Sequence, residues 1–135
     1  MSINFTGPVP TPTPTTEPFW QGLEEDKIFL QQCDDCQQWI FYPRSNCSAC
    51  LSTSLTWKQV SGDAEIYSFT IARRPTAPQF AGMEPQYIAV VSLAEGVRMN
   101  TMIVDCSEDQ LCVGLKLKPV FHRLEEQTLL FFTPV

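Results

Sequence analysis

Histidine is nearly missing from this 135-residue chain: His122 is the only one. A two-histidine metal site and a histidine-rich acid/base network are therefore excluded. Positive charge is also short, with nine Lys and Arg against fifteen Asp and Glu and a net charge of −6. That balance argues against a partner held mainly by phosphate neutralisation, which needs a basic surface. No apolar run approaches the ~20 residues that a membrane-spanning helix requires. Met1 to Thr16 has neither a basic n-region nor an apolar h-region. The expectation is a cytoplasmic chain with no secretory signal and no membrane partner. Glycine is sparse, with six residues, and no phosphate-cradling or dinucleotide glycine fingerprint occurs.

Cysteine is the informative presence. Cys33, Cys36, Cys47 and Cys50 form C-x2-C-x10-C-x2-C, while Cys106 and Cys112 stand apart. Two Cys-x-x-Cys turns bring four thiolates onto one ion, and Zn²⁺ prefers such a closed tetrahedron of soft ligands in structural sites. Two disulfides, an iron–sulfur cluster or an emptied site are the alternatives. A saturated zinc would have no position for water and so would not be catalytic. The residues just after each knuckle are Gln37 and Leu51, where glycine would adopt positive φ without cost. Cys106 and Cys112 read as small buried hydrophobes.

Along the chain, residues 1–16 are uncharged and carry Pro8, Pro10, Pro12 and Pro14 in alternation. This composition favours polyproline II and reads as a tail, either frayed or laid as a strap along a partner. Thr15 or Thr16 caps a helix with Pro18 in its first turn. Phe19, Trp20, Leu23 and Lys27–Ile28 form its apolar side, facing either the domain or a partner, and Gly22 weakens it. Strands are expected at 28–31, 39–42 and 55–60 around the knuckles, which describes a ribbon. Further strands follow at 64–71, 87–93, 97–104, 115–122 and 128–132. Arg73 to Pro85 is a proline-rich loop, Ala94-Glu95-Gly96 a tight turn, and Ser107–Leu111 a single helical turn capped by Ser107. Pro119 belongs at an edge or bulge, because it cannot donate to a ladder. Five strands with an insert between the third and fourth suggest a Greek-key barrel of the OB type. The chain is thus mainly β, in three parts: a Pro/Thr-rich tail (1–16), a helix with a rubredoxin-like zinc ribbon (17–60), and a five-stranded OB-fold barrel (61–135).

The order and spacing of several pieces resemble a known family. They are Pro18 to Leu23, Leu30 to Cys36, Phe41-Tyr42-Pro43-Arg44-x-x-Cys47-x-x-Cys50, Gly62-x-Ala64 to Thr70, Glu95 to Arg98, and Leu115-Lys116-Leu117. Over residues 17–133 the chain resembles the zinc-ribbon plus OB-fold family long filed as a domain of unknown function. That resemblance implies a non-catalytic accessory subunit in a hetero-oligomer with a thiolase-like enzyme, a steroid side-chain aldolase or a MaoC-type hydratase. Its expected role is to form or shield the site of an acyl-CoA thioester.

No catalytic residue set is expected, and Asp34, Asp35 and His122 read as solvated or structural. Coenzyme A carries phosphates, so a few placed cations would serve it. Arg73 and Arg74 are the first candidates for thioester or partner contact, followed by Arg98, with Lys116 and Lys118 weaker. Phe19 and Trp20 are further candidates for partner contact. The alternative function is a single-stranded nucleic-acid module, since OB barrels often bind single strands. Charge disfavours it, because residues 61–135 hold six basic and nine acidic side chains.

Overall fold

The structure is a computed structural model that describes residue 5 and residues 7–135. The first four residues of the proline-rich segment, and Thr6, lie outside the described residues. The rest of that segment is mostly exposed, but its Phe5 ring lies 6.1 Å from Phe80 and 5.7 Å from Phe131 of the barrel. It ends in a turn at Thr13–Thr16. Thr16 occupies the N-cap of helix α1 (Glu17–Glu24) but makes no side-chain cap bond. Its hydroxyl instead accepts the Thr13 N–H at 2.9 Å, so the turn consumes the group expected to cap the helix.

Helix α1 buries Phe19, Trp20 and Leu23. It stops at Glu24, because the chain turns through a left-handed Asp26 (φ 59°) into the next strand. Ile28 therefore belongs to that strand and not to the helix face. Gly22 has a packing reason. A Cβ there would lie 2.5 Å from Phe29 Cδ2 and 3.0 Å from the Lys27 carbonyl oxygen.

A three-stranded antiparallel sheet follows, in the order β2-β1-β3, from β1 (Ile28–Cys33), β2 (Trp39–Ile40) and β3 (Leu55–Val60). Strand β2 is shorter than expected and stops before Tyr42. The second sheet is a closed barrel of β4 (Ala64–Ala72), β5 (Gln86–Leu93), β6 (Arg98–Ile103), β7 (Lys116–Arg123) and β8 (Thr128–Pro134). Its order is β4-β5-β6-β8-β7, with a parallel β6–β8 contact at Ile103 and Phe132. This is the five-stranded Greek-key closure of an OB fold. The insert between its third and fourth strands holds only a short 3₁₀ turn, Glu108–Gln110, whose Gln110 carboxamide oxygen accepts the Ser107 N–H.

Two local features shape the barrel surface. Gly96 (φ 101°) makes the tight β5–β6 turn, in which its N–H donates to the Leu93 carbonyl at 2.9 Å. In β4, Ile66 opposes Val91 and Ser68 opposes Val90, so Tyr67 is an extra, bulged residue. Pro119 pairs with Phe132 on the β8 side, and the β4 ladder ends before it, at Leu117. Its missing N–H thus costs the sheet nothing.

One core runs through both sheets. Phe19, Leu23, Ile28, Leu30 and Val60 from the N-terminal half join Ile66, Val91, Met99, Leu117 and Phe132 of the barrel. Such a continuous apolar contact is the main force joining the two parts. The knuckles have their own small cluster of Cys33, Ile40 and Cys47. Among the described residues, no helix is long and apolar enough to cross a membrane.

Candidate metal centre and cation sites

The two knuckles are built alike. In the first, the Gln37 N–H donates to the Cys33 carbonyl at 2.9 Å and the Cys33 N–H to the Gln38 carbonyl at 2.9 Å. In the second, Leu51 donates to Cys47 at 2.9 Å and Cys47 to Ser52 at 2.8 Å. Both turns need a left-handed residue at the same place, and Gln37 (φ 66°) and Leu51 (φ 65°) supply it without being glycine. Gln37 gains a hydrogen bond from its amide to the Asp34 carbonyl at 2.9 Å. Leu51 gains nothing comparable and leaves 74% of its surface exposed.

The four sulfurs of Cys33, Cys36, Cys47 and Cys50 lie within 4.8 Å of one another. Across the knuckles, Cys33 Sγ is 3.6 Å from Cys50 Sγ and Cys36 Sγ is 3.6 Å from Cys47 Sγ. A tetrahedral zinc with Zn–S bonds of about 2.3 Å has S···S edges of about 3.8 Å, so the donor set fits that ion. All four cysteines are free thiols, which does not support the two-disulfide alternative. Local backbone already favours the thiolate at Cys47. The N–H groups of Cys50 and Ala49 point at its sulfur and lower its pKa to about 7. Cys50 behaves oppositely. The Ser52 N–H lowers it, but the Cys33 sulfur and burial outweigh that and push it up to about 12. Four adjacent thiols resist joint ionisation until a cation neutralises them.

Asp34 and Asp35 are not merely solvated. Asp34 accepts hydrogen bonds from Thr56 and Ser54, and Asp35 accepts one from Ser52. These bonds fasten the first knuckle to the strand leaving the second, and the Thr56 and Ser54 hydroxyls hold the Asp34 carboxyl below its usual range. Gln31 makes a further clamp that sequence reasoning missed. Its buried amide donates to the Arg44 carbonyl at 2.8 Å and accepts the Arg44 N–H at 2.9 Å, fixing the approach to Cys47. Its place as the first of two successive glutamines before Cys33 gave no signal of that role.

The candidate contact residues fare unequally. Phe19 and Trp20 are 3% and 9% exposed, so the chain's own core claims them and they cannot be a partner-facing surface. Arg73 is bound by both Glu108 carboxylate oxygens, at 3.1 and 3.0 Å, and is therefore not a free cation. Lys116 pairs with Glu65 at 3.3 Å. Arg74 and Lys118 are exposed. Arg98 is exposed too, with its guanidinium carbon 3.8 Å from the Tyr67 ring centroid. His122 leans on Phe131, with ring centroids 6.0 Å apart. Cys106 is half-buried, and burial raises its pKa, but Cys112 is exposed, because it lies in the outward turn before β7. The small-hydrophobe reading therefore fails for Cys112.

A four-cysteine ribbon packed on an OB barrel defines a two-part class of protein in which the metal-binding half carries no open coordination position. The comparisons place the chain within that class. Residues 20–56 match the ChsH2 rubredoxin-like zinc ribbon domain and residues 57–122 the ChsH2 C-terminal OB-fold domain. The chain belongs to the DUF35 family. It is 31% identical to a DUF35 domain-containing scaffold protein of Methanothermobacter thermautotrophicus, over 71% of this chain and 72% of that one. A scaffold protein of the same description from Methanocaldococcus jannaschii is 28% identical, over 79% and 77%. A probable enoyl-CoA hydratase alpha subunit of Thermomonospora curvata is 29% identical over 86% of this chain, which spans 36% of that protein. Among solved structures, a chain of the Ltp2-ChsH2(DUF35) aldolase superposes with a TM-score of 0.80 at 24% identity, covering 93% of this chain and 98% of that one.

Proposed function

We propose that this chain is a non-catalytic accessory subunit of an acyl-CoA enzyme, of thiolase, side-chain aldolase or MaoC-type hydratase class. It helps form or shield the thioester site. The observation that carries this reading is the set of proteins the chain is similar to: scaffold proteins and a hydratase alpha subunit in sequence, and a chain of the Ltp2-ChsH2(DUF35) aldolase in fold. The site chemistry agrees. Cys33, Cys36, Cys47 and Cys50 hold one structural Zn²⁺, which ties the two knuckles together and has no vacant position for a reacting water. Thiolate donors are supplied by this chain, with Cys47 poised by backbone N–H groups and both knuckles braced by Asp34, Asp35 and Gln31. The work of the chain is then shape and placement, with the partner supplying the reacting groups.

Single-strand nucleic-acid binding is disfavoured by the net charge of −6, and three of the six barrel cations, Arg73, Lys116 and Arg123, are already paired with carboxylates. The test is co-purification of the tagged full chain from its native host, with the partner identified by mass spectrometry. A stoichiometric acyl-CoA enzyme is the expected companion. Full-rate thioester turnover by the isolated chain, or a chain that is monomeric in its host, would overturn the reading.

A further inference from the structure

The proline-rich strap touches both loops that flank the ligand side of an OB barrel. Those are the loop joining the first and second barrel strands and the loop joining the fourth and fifth. Here they are residues 73–85 and 124–127. A Cβ on Gly7 would lie 2.3 Å from Phe80 of the first loop, so glycine permits the close approach. Phe5, Gly7 and Val9 share a cleft of about 250 Å³ with Leu124, Glu125 and Glu126 of the second. An adjoining groove of about 240 Å³ lies beside Phe5, Pro8 and Pro10. Its walls are Phe41 and Tyr42 of the ribbon, Asn100 of β6, and Leu130 and Phe131 of β8. Strands β6 and β8 pair only at Ile103 and Phe132, which leaves the sheet open where the groove lies.

This occupant is lightly held. Residues 7–12 make no hydrogen bond to the described residues, and Pro8, Val9 and residues 11–15 are exposed. Phe5, Gly7 and Pro10 are the half-buried points of contact. The corner is also incompletely satisfied. Behind the groove, the buried Trp20 N–H has no acceptor, which costs free energy. On the rim, Glu125 and Glu126 make no ion pair among the described residues, and residues 5–16 carry no charge to offer them. An aromatic groove suits a polyproline II segment, because prolines pack on rings and their fixed φ lowers the entropy lost on docking. An acidic rim adds a preference for a basic residue.

We propose that this groove docks an extended, proline-rich segment of a partner protein that carries a basic residue beside its prolines. Phe5 and residues 7–10 are a tethered stand-in, which the partner segment displaces. The stand-in covers apolar surface while the chain is alone, and the basic residue is what the partner segment has and the stand-in lacks. The inference goes beyond the accessory-subunit reading, because it fixes a surface and the chemistry that docks there for an enzyme of any class.

The test uses the zinc-loaded full chain and a fluorescein-labelled peptide with the sequence of residues 5–14, with binding read by anisotropy. Phe5→Asp with Val9→Asp sets two carboxylates beside Glu125 and Glu126 and should release the strap, seen as loss of NMR contacts between Gly7 and Phe80. The released chain should bind the peptide saturably. The wild type should bind it about tenfold more weakly or worse, because a strap tethered this closely competes at an effective concentration on the order of mM. Lysine in place of Val9 in the peptide should tighten binding about two- to fivefold, as an exposed ion pair does, and Glu125→Gln with Glu126→Gln should abolish that gain. In the released chain Tyr42→Ala should weaken binding about threefold or more, through the lost aromatic contact. Tyr67→Ala, at a half-exposed tyrosine outside the groove, should change nothing. A strap that the charges fail to release, no saturable binding to the released chain, equal binding by the wild type, no gain from lysine, or an equal loss in Tyr67→Ala would overturn the proposal. A chain that co-purifies with its enzyme while its released groove ignores the peptide refutes this groove alone.

Discussion

Replacing Leu51 by glycine should stabilise the protein, and the corresponding change at Gln37 should not. Both residues hold the left-handed conformation that closes a knuckle, at φ 65° and 66°. For a residue with a Cβ this conformation costs roughly 1–2 kcal/mol. Glycine removes that cost, but its greater freedom in the unfolded chain returns about 0.4–1 kcal/mol. At Leu51 little else changes, because the side chain is 74% exposed and its burial contributes almost nothing. The net gain should be about 0.5–1 kcal/mol, or roughly 2–4 °C in Tm for a chain of this length. At Gln37 the substitution also removes the amide bond to the Asp34 carbonyl. An exposed hydrogen bond is worth about 0.5–1.5 kcal/mol, enough to cancel the gain. The assay is thermal unfolding of both variants in saturating zinc, followed by near-UV circular dichroism. A lower Tm for Leu51→Gly, or an equal rise for Gln37→Gly, would refute the reasoning.

Elemental analysis should give about one zinc per chain, and Cys33→Ser should lose it together with the knuckle fold, while the shared core keeps the barrel and α1 assembled. Loss of barrel strand signals in hydrogen exchange would contradict this. Gly22→Ala should destabilise by about 1 kcal/mol or more despite alanine's better helix propensity, because its Cβ would meet Phe29 at 2.5 Å; urea unfolding measures the change. The bonds from Arg73 to Glu108, and then its charge, hold the Glu108 carboxyl below its ordinary value. That contribution is present above the unfolded pKa and lost as pH falls through the lowered folded value. Arg73→Met should therefore flatten the acid limb of a stability-versus-pH curve below about pH 5, and an unchanged limb would count against the pair.

Legibility in the sequence followed the range of the interactions. The cysteine doublets, the Pro and Gly punctuation and the period-two runs are local, and they located the knuckles, the turns and all five barrel strands within a residue or two. Knuckle closure was visible too, because a Cys-x-x-Cys turn needs a left-handed residue next, and the identities of Gln37 and Leu51 could be read at once. Contacts between distant segments were not visible. Asp34 and Asp35 look like solvated acids until Ser52, Ser54 and Thr56 arrive from β3 and the second knuckle. Thr16 looks like a helix cap until Thr13 takes its hydroxyl.

The sequence by itself determined a mainly β chain with a four-thiolate knuckle pair ahead of a five-stranded barrel. Those properties follow from short-range spacing and side-chain periodicity, which act through bonds and nearest neighbours. Only the tertiary structure decided which aromatics are core and which cations are free. Phe19 and Trp20 vanish into the barrel contact, Glu108 neutralises Arg73 across 35 positions, and a one-residue bulge turns Tyr67 out to meet Arg98. Burial and charge pairing depend on which surfaces the closed barrel brings together, and no local pattern encodes that choice.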